Sequence, residues 1–134
     1  MEFHFGRLLD HVHIRVADLE AARRFYTAVL ETLGHTLQAS GPYLHSDEFF
    51  ISADGAPTAK LHLAFQADGP ETVRRFHTEG LAAGGRDNGA PGERGYHPGY
   101  YAAYLLDPDG NNIEAVYHGP VARSAASVVV SPGR

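Results

Sequence analysis

The chain contains no cysteine and no tryptophan, and only one methionine. Without cysteine it can have no disulfide framework and no thiolate metal site, which fits a reducing compartment. No apolar run approaches the roughly 18 residues that a membrane span needs. The opening Met1-Glu2-Phe3-His4-Phe5-Gly6-Arg7 lacks a cationic stretch followed by an apolar one, so no secretory signal is expected. Basic residues are outnumbered: 11 Lys and Arg against 16 Asp and Glu give a formal net charge of -5. Such a balance argues against nucleic acid as a partner, because phosphate binding calls for a basic stripe. A cytoplasmic globular protein is expected, with neither membrane nor nucleic acid as partner. A length of 134 residues suits one domain with its own hydrophobic core. The surplus is in histidine, of which there are nine.

Periodicity organises the chain. In Leu9-Asp10-His11-Val12-His13-Ile14-Arg15-Val16, Val12, Ile14 and Val16 point one way and His11, His13 and Arg15 the other, as in a strand with one apolar face. Asp18 suits a helix N-cap. Leu19, Ala22, Phe25, Val29 and Leu33 follow at helical spacing, and Gly34 can end the helix. Residues 36–39 and 47–53 read as strands, and Asp54-Gly55-Ala56-Pro57 as a turn. The pattern then restarts with Leu61-His62-Leu63-Ala64-Phe65. Pro70 opens a second helix, with Val73 and Phe76 on its apolar stripe and Gly84-Gly85 as its stop. His11 and His62 lie 51 residues apart, as do Arg23-Arg24-Phe25 and Arg74-Arg75-Phe76. A strand, a helix and a histidine recurring in one register indicate a duplicated module.

Residues 84–95 read as a glycine-rich loop, either a flap or a plain surface loop. It lacks the Gly-Lys-Ser/Thr ending of a phosphate cradle. Tyr100 to Leu106 and Asn111 to Tyr117 read as strands joined by the turn Asp107-Pro108-Asp109-Gly110. Residues 119–134 show no periodicity and read as a C-terminal tail. The chain therefore divides into one domain over 1–118, with modules at about 8–57 and 58–118, followed by that tail.

His11 and His62 each sit on the polar face of a strand. Glu114 lies on the last strand, on the face shared with Asn112 and Val116. Two neutral imidazoles and one carboxylate can form a facial set on one divalent ion and leave positions open for substrate or O₂, the arrangement of non-heme Fe(II) oxygenases. Mn²⁺, Ni²⁺ and Zn²⁺ accept similar ligands. The bland alternative is three solvated strand residues. Among the other histidines, His13 faces the same side as His11, His77 is expected to be exposed, and His4, His35, His45 and His118 fall near ends or loops.

Three segments, Asp10-His11-Val12-His13-Ile14-Arg15-Val16-Ala17-Asp18, Leu61-His62-Leu63-Ala64-Phe65 and Asp107-Pro108-Asp109-Gly110-Asn111-Asn112-Ile113-Glu114, resemble the vicinal oxygen chelate superfamily. That superfamily includes glyoxalase I, type I extradiol dioxygenases, fosfomycin-resistance enzymes and bleomycin-binding proteins. The resemblance implies an α+β fold of two tandem βαβββ modules forming a cupped mixed sheet. It also implies metal ligation by His11, His62 and Glu114, a small-molecule substrate with vicinal oxygens, and a homodimer. Gly95-Tyr96-His97, Tyr104, Asp107-Pro108-Asp109-Gly110 and Glu114 fall in the order of the extradiol dioxygenases, although Ala103 stands where a larger apolar residue is usual. By this resemblance His97 and Tyr104 approach substrate hydroxyls, and the ion is Fe²⁺. Some glyoxalases add a carboxylate from the first module. Here the stretch is Glu48-Phe49-Phe50-Ile51-Ser52, where Phe50 or Ile51 takes that place more naturally than Glu48. Tyr43 and Phe50 form either an aromatic wall for a flat substrate or ordinary core packing.

An Fe(II) extradiol-type dioxygenase is thus the expected function. A glyoxalase-like lyase or isomerase and a fosfomycin-type transferase share the same cup. A metal-free antibiotic- or metabolite-binding protein is the alternative from a different class.

Overall fold

The computed structural model describes residues 2–133. The first module runs β1 (Val12–Arg15), α1 (Leu19–Thr32), β2 (Gln38–Ser40), β3 (Tyr43–Ser46) and β4 (Phe49–Ser52). The second repeats that order as β5 (His62–Gln66), α2 (Pro70–Ala82), β6 (Arg86–Glu93), β7 (Tyr101–Leu106) and β8 (Asn112–Tyr117). The expected α+β fold of two tandem βαβββ modules is the observed one. The strands form two four-stranded mixed sheets, ordered β1-β4-β3-β2 and β5-β8-β7-β6. In each, the first strand runs parallel to the last strand of its own module, and the other pairs are antiparallel.

Local chemistry explains the helix ends. The Asp18 carboxylate accepts from the amides of Glu20 and Ala21, which satisfies two of the unpaired N–H groups at the start of α1. Pro70 opens α2, where its missing N–H costs nothing. The two helices pack on one another, and Phe25 and Phe76, the repeated pair, are both fully buried. Ile14, Ile51, Leu105 and Ile113 extend the core beneath the sheets.

A buried clamp ties the modules together. Asp107 is 1 % exposed and accepts from the Tyr26 hydroxyl of α1 at 2.5 Å. It also accepts from the amides of Asn111 at 2.8 Å and Asp109 at 3.0 Å. Asn111 in turn donates to the Thr58 carbonyl and accepts from the Leu61 amide. The segment read as a hairpin turn is a turn, and it also fixes where β5 begins relative to β8.

Two parts of the sequence reading need correction. First, β3 was not anticipated. It is bounded by the two-residue loops Gly41-Pro42 and Asp47-Glu48, whose first residues have φ of 58° and 47°. A positive φ at that position matches the twist of paired strands, and glycine and aspartate tolerate it. Second, much of the glycine-rich stretch is strand β6 rather than loop. Its pairing with β7 shifts between Asp87 and Gly89 and again between Gly89 and Gly92. β6 is an edge strand, so Pro91 can sit within it without breaking a ladder on both sides.

Candidate functional site

Strand alternation places Tyr104 of β7 and Glu114 of β8 directly opposite one another. On the parallel partner, Ala64 of β5 stands opposite Glu114, and His62 lies one step back on the same face. His62 Nε2 approaches Glu114 Oε1 to 2.7 Å. The carboxylate is 1 % exposed, whereas the imidazole side chain is more than half exposed. A buried carboxylate requires partners to offset lost hydration. Glu114 has two, since Tyr100 donates its hydroxyl to Oε2. Burial and the nearby carboxylate push the Tyr100 hydroxyl pKa well above the usual phenol range, so that it remains a donor.

Tyr104 lies with its ring 6.1 Å from that of His62, and Arg94 covers it with its guanidinium carbon 5.2 Å from the ring centroid. Burial first, then the Glu114 charge, raises its hydroxyl pKa. Gly89 makes this position possible. A Cβ there would lie 2.7 Å from Tyr104 Cδ2, closer than side chains approach, so only glycine lets β6 pass over the ring.

Beyond Tyr100 the site continues into a second pair of histidines. His97 Nε2 and His118 Nδ1 are 2.9 Å apart, and the rings stack at 20°. His97 Nδ1 lies 2.9 Å from the Pro98 carbonyl oxygen. Both rings meet Tyr100 edge-on, at 5.3 Å and 5.1 Å. Burial, and then the neighbouring His97, lower the His118 pKa, while Glu114 opposes the shift. Sequence reading passed over His118 and gave Tyr100 no role. Alternation from Glu114 through Val116 leads to His118, and from Tyr104 through Ala102 to Tyr100, so the signal was present.

His11 stands apart from this group. It precedes β1 on the other sheet, with Nδ1 2.7 Å from Asp10 and its ring edge-on to Phe50 at 5.8 Å. Among the described residues, no three His, Cys, Asp or Glu side chains converge in a metal-holding arrangement. The structure thus brings His62, Glu114 and Tyr104 together and leaves His11 on the first module's face.

The two modules match residue for residue here. His13 and Ala64, each two residues after the repeated histidine, stand opposite Phe50 and Glu114 respectively. His45 stands opposite Phe50 just as Tyr104 stands opposite Glu114. Phe50 therefore holds in the first module the place that Glu114 holds in the second, and Glu48 does not. His45 stacks on Phe50 at 5.6 Å, and Tyr43 meets His13 at 5.7 Å. His13 Nε2 bonds Ser52 Oγ, which donates onward to Asp54. His77 is not the exposed residue expected: its side chain is 13 % exposed and pairs with Asp87 of β6 at 2.9 Å.

Two donor atoms, His62 Nε2 and Glu114 Oε1, have a spacing that a divalent ion could span. Two ligands each about 2.1 Å from an ion and near a right angle lie about 3 Å apart, close to the His62–Glu114 separation. No described helix is long and apolar enough to cross a membrane.

Comparison with known proteins agrees with this fold. Residues 8–115 match the profile of the glyoxalase/bleomycin resistance protein/dioxygenase superfamily. A glyoxalase/bleomycin resistance protein from Albidiferax ferrireducens is 37 % identical, with a TM-score of 0.72 over 81 % of this chain and 98 % of that one. A glyoxalase/bleomycin resistance protein/dioxygenase family enzyme from Burkholderia phytofirmans is 25 % identical, with a TM-score of 0.62 over 80 % of this chain and 95 % of that one. Glyoxalase I from Zea mays shares the fold at 20 % identity and a TM-score of 0.59, over 84 % of this chain and 45 % of that one. No protein of curated function matches the chain. The chain belongs to the glyoxalase/bleomycin resistance protein/dioxygenase superfamily, which is the vicinal oxygen chelate superfamily.

Proposed function

We propose that this protein is a metal-dependent enzyme acting on a small substrate with vicinal oxygens, of the Fe(II) extradiol dioxygenase type. The observation that carries the reading is the buried Glu114 carboxylate facing His62 Nε2 at 2.7 Å. His62 and Glu114 supply two ligands. His11 supplies the third from a second copy of the chain, in a homodimer that sets the first module of one copy against the second module of the other. The separation of His11 from His62 and Glu114 within one chain supports this, as does the position of β1 and β5 at the edges of their sheets. The ion, Fe²⁺ rather than Mn²⁺, Ni²⁺ or Zn²⁺ in this reading, supplies a charged centre at which vicinal oxygens and O₂ can meet. Phe50 in place of a fourth carboxylate favours the three-ligand set over the glyoxalase set.

The chain's own residues then divide the work. Tyr100 holds Glu114 through Oε2 and leaves Oε1 toward His62. Tyr104, kept protonated, donates to a substrate oxygen. The His97–His118 pair exchanges the proton that the substrate hydroxyl must lose.

A metal-free binding protein is the second reading. It is favoured by the aromatic face of Tyr43, His45 and Phe50, which is left partly open. One experiment separates the two: anaerobic reconstitution with Fe(II), elemental analysis of the wild type and Glu114→Ala, and oxygen uptake with catechols. The enzyme reading expects about one ion per chain in the wild type, loss of it in the variant, and oxygen consumption only by the former. Absence of bound metal in both, or unchanged ligand affinity in Glu114→Ala, replaces it with the binding-protein reading.

A further inference from the structure

We infer that His118, oriented by His97, is the catalytic ring that exchanges the substrate proton; this rests on the oxygenase-type reading above. The argument begins with the Pro98 carbonyl oxygen, which can only accept. His97 Nδ1 lies 2.9 Å from it, so neutral His97 carries its proton on Nδ1. His97 Nε2 is then an acceptor, and the donor across the 2.9 Å gap is His118 Nδ1. Each ring is held in one tautomer. Both nitrogens of His97 are engaged, whereas His118 keeps the lone pair of Nε2.

This is the division of labour in a hydrogen-bonded base, where one group orients the ring and the other takes the proton. Burial agrees with it, because His118 is half-buried and His97 is exposed. So does placement: His118 follows β8 on the face of Glu114, with Tyr100 between them. That tyrosine gives its hydroxyl to Glu114 and its ring edge to His118. The charged or titratable groups around His118 are therefore His97, Tyr100 and Glu114.

In the step itself, the substrate O–H bond breaks, its electron pair stays on oxygen, and the proton forms an N–H bond at His118 Nε2. His97 stays neutral and accepts a stronger hydrogen bond from the imidazolium Nδ1–H. The proton returns to product in the reverse sense.

Two conservative variants separate the rings. Asparagine at 118 keeps a donor near the Nδ1 position but has no nitrogen that can take a proton. Glutamine at 97 keeps an acceptor near the Nε2 position. In Fe(II)-loaded protein, His118→Asn is expected to lower oxygen uptake with catechols by about 100-fold or more, with metal content and catechol Kd unchanged. His97→Gln is expected to lose less than His97→Ala. Wild-type turnover in His118→Asn, or His97→Gln as inactive as His97→Ala, overturns the assignment. Long-range ¹H–¹⁵N NMR on the metal-free protein gives a readout independent of turnover. His118 should carry its proton on Nδ1 in the wild type and in His97→Gln, and lose that preference in His97→Ala. An Nε2–H tautomer of His118 in the wild type overturns the inference. Failure of metal-loaded wild type to consume oxygen with catechols defeats the oxygenase reading instead, and the NMR measurement still decides whether His118 is the ring with the open nitrogen.

Discussion

The Tyr26 hydroxyl donates to the Asp107 carboxylate at 2.5 Å, joining the helix of the first module to the hairpin of the second. Both groups are buried, so the bond is shielded from water. Tyr26→Phe should cost about 1.5–3 kcal/mol, the range for hydrogen bonds to charged groups, read as a lower urea midpoint. Burial, and then Asp107, raise the Tyr26 pKa well above its ordinary value. Folded protein therefore keeps a proton that the unfolded chain releases above about pH 10. Wild-type stability should be full below that pH and fall as pH rises beyond it, and Tyr26→Phe should remove this residue's share of the decline. Equal alkaline decline in both proteins would show that Tyr26 does not cause it.

Tyr100→Phe removes the donor to Glu114 Oε2 and leaves His62 and Glu114 in place. On the proposed reading that Glu114 holds a metal ion, loss of such a supporting bond should weaken metal binding about 10- to 100-fold. Competition titration with a chelator is the measurement. Unchanged affinity would mean that Tyr100 does not support the ligand.

Gly89→Ala places a Cβ 2.7 Å from Tyr104 Cδ2. Either β6 or the ring must move, at about 1–3 kcal/mol for overpacking. The expected result is a lower melting temperature together with a shifted Tyr104 ring resonance. Unchanged Tyr104 chemical shifts would show that β6 yields alone.

On the exposed rim of the first module, Ser52 first, and then Arg15, hold the Asp54 carboxyl below the usual carboxylate range. Its stabilising effect is present above about pH 3.9, the ordinary Asp value, and is lost as pH falls through the lower folded-state value. A carbon-13 titration of Asp54 should give a midpoint below that of unfolded Asp. Ser52→Ala should move it upward; a midpoint at the ordinary value in the wild type would refute the Ser52–Asp54 bond.

Much of this architecture was legible in the sequence because it is periodic. Val12, Ile14 and Val16 gave a strand, Asp18 gave a cap, and the repeat of His11-to-Phe25 as His62-to-Phe76 gave the second module. β3 was not legible because it lies between two tight loops and buries a single side chain, Leu44, too little to show alternation. β6 was not legible because glycine and proline normally end strands, and only an edge position tolerates them. At the candidate site, alternation and family resemblance single out His62, Glu114 and Tyr104, which the fold makes neighbours. His97 is named by the resemblance and alternation points to the face of His118, but their pairing joins a loop to the residue after a strand, a contact that no short sequence window contains. The same holds for the Tyr26–Asp107 clamp, whose partners are 81 residues apart.

The matched positions of Phe50 and Glu114 divide the chemistry between the two modules. The first module carries His11 where the second carries His62, but a phenyl ring at 50 where the second carries the Glu114 carboxylate. Symmetry in the backbone thus coexists with asymmetry in chemistry: at this register one half presents a carboxylate and the other an aromatic ring. Substitutions at Phe50 can then reshape the aromatic face of the first module while Glu114 stays intact.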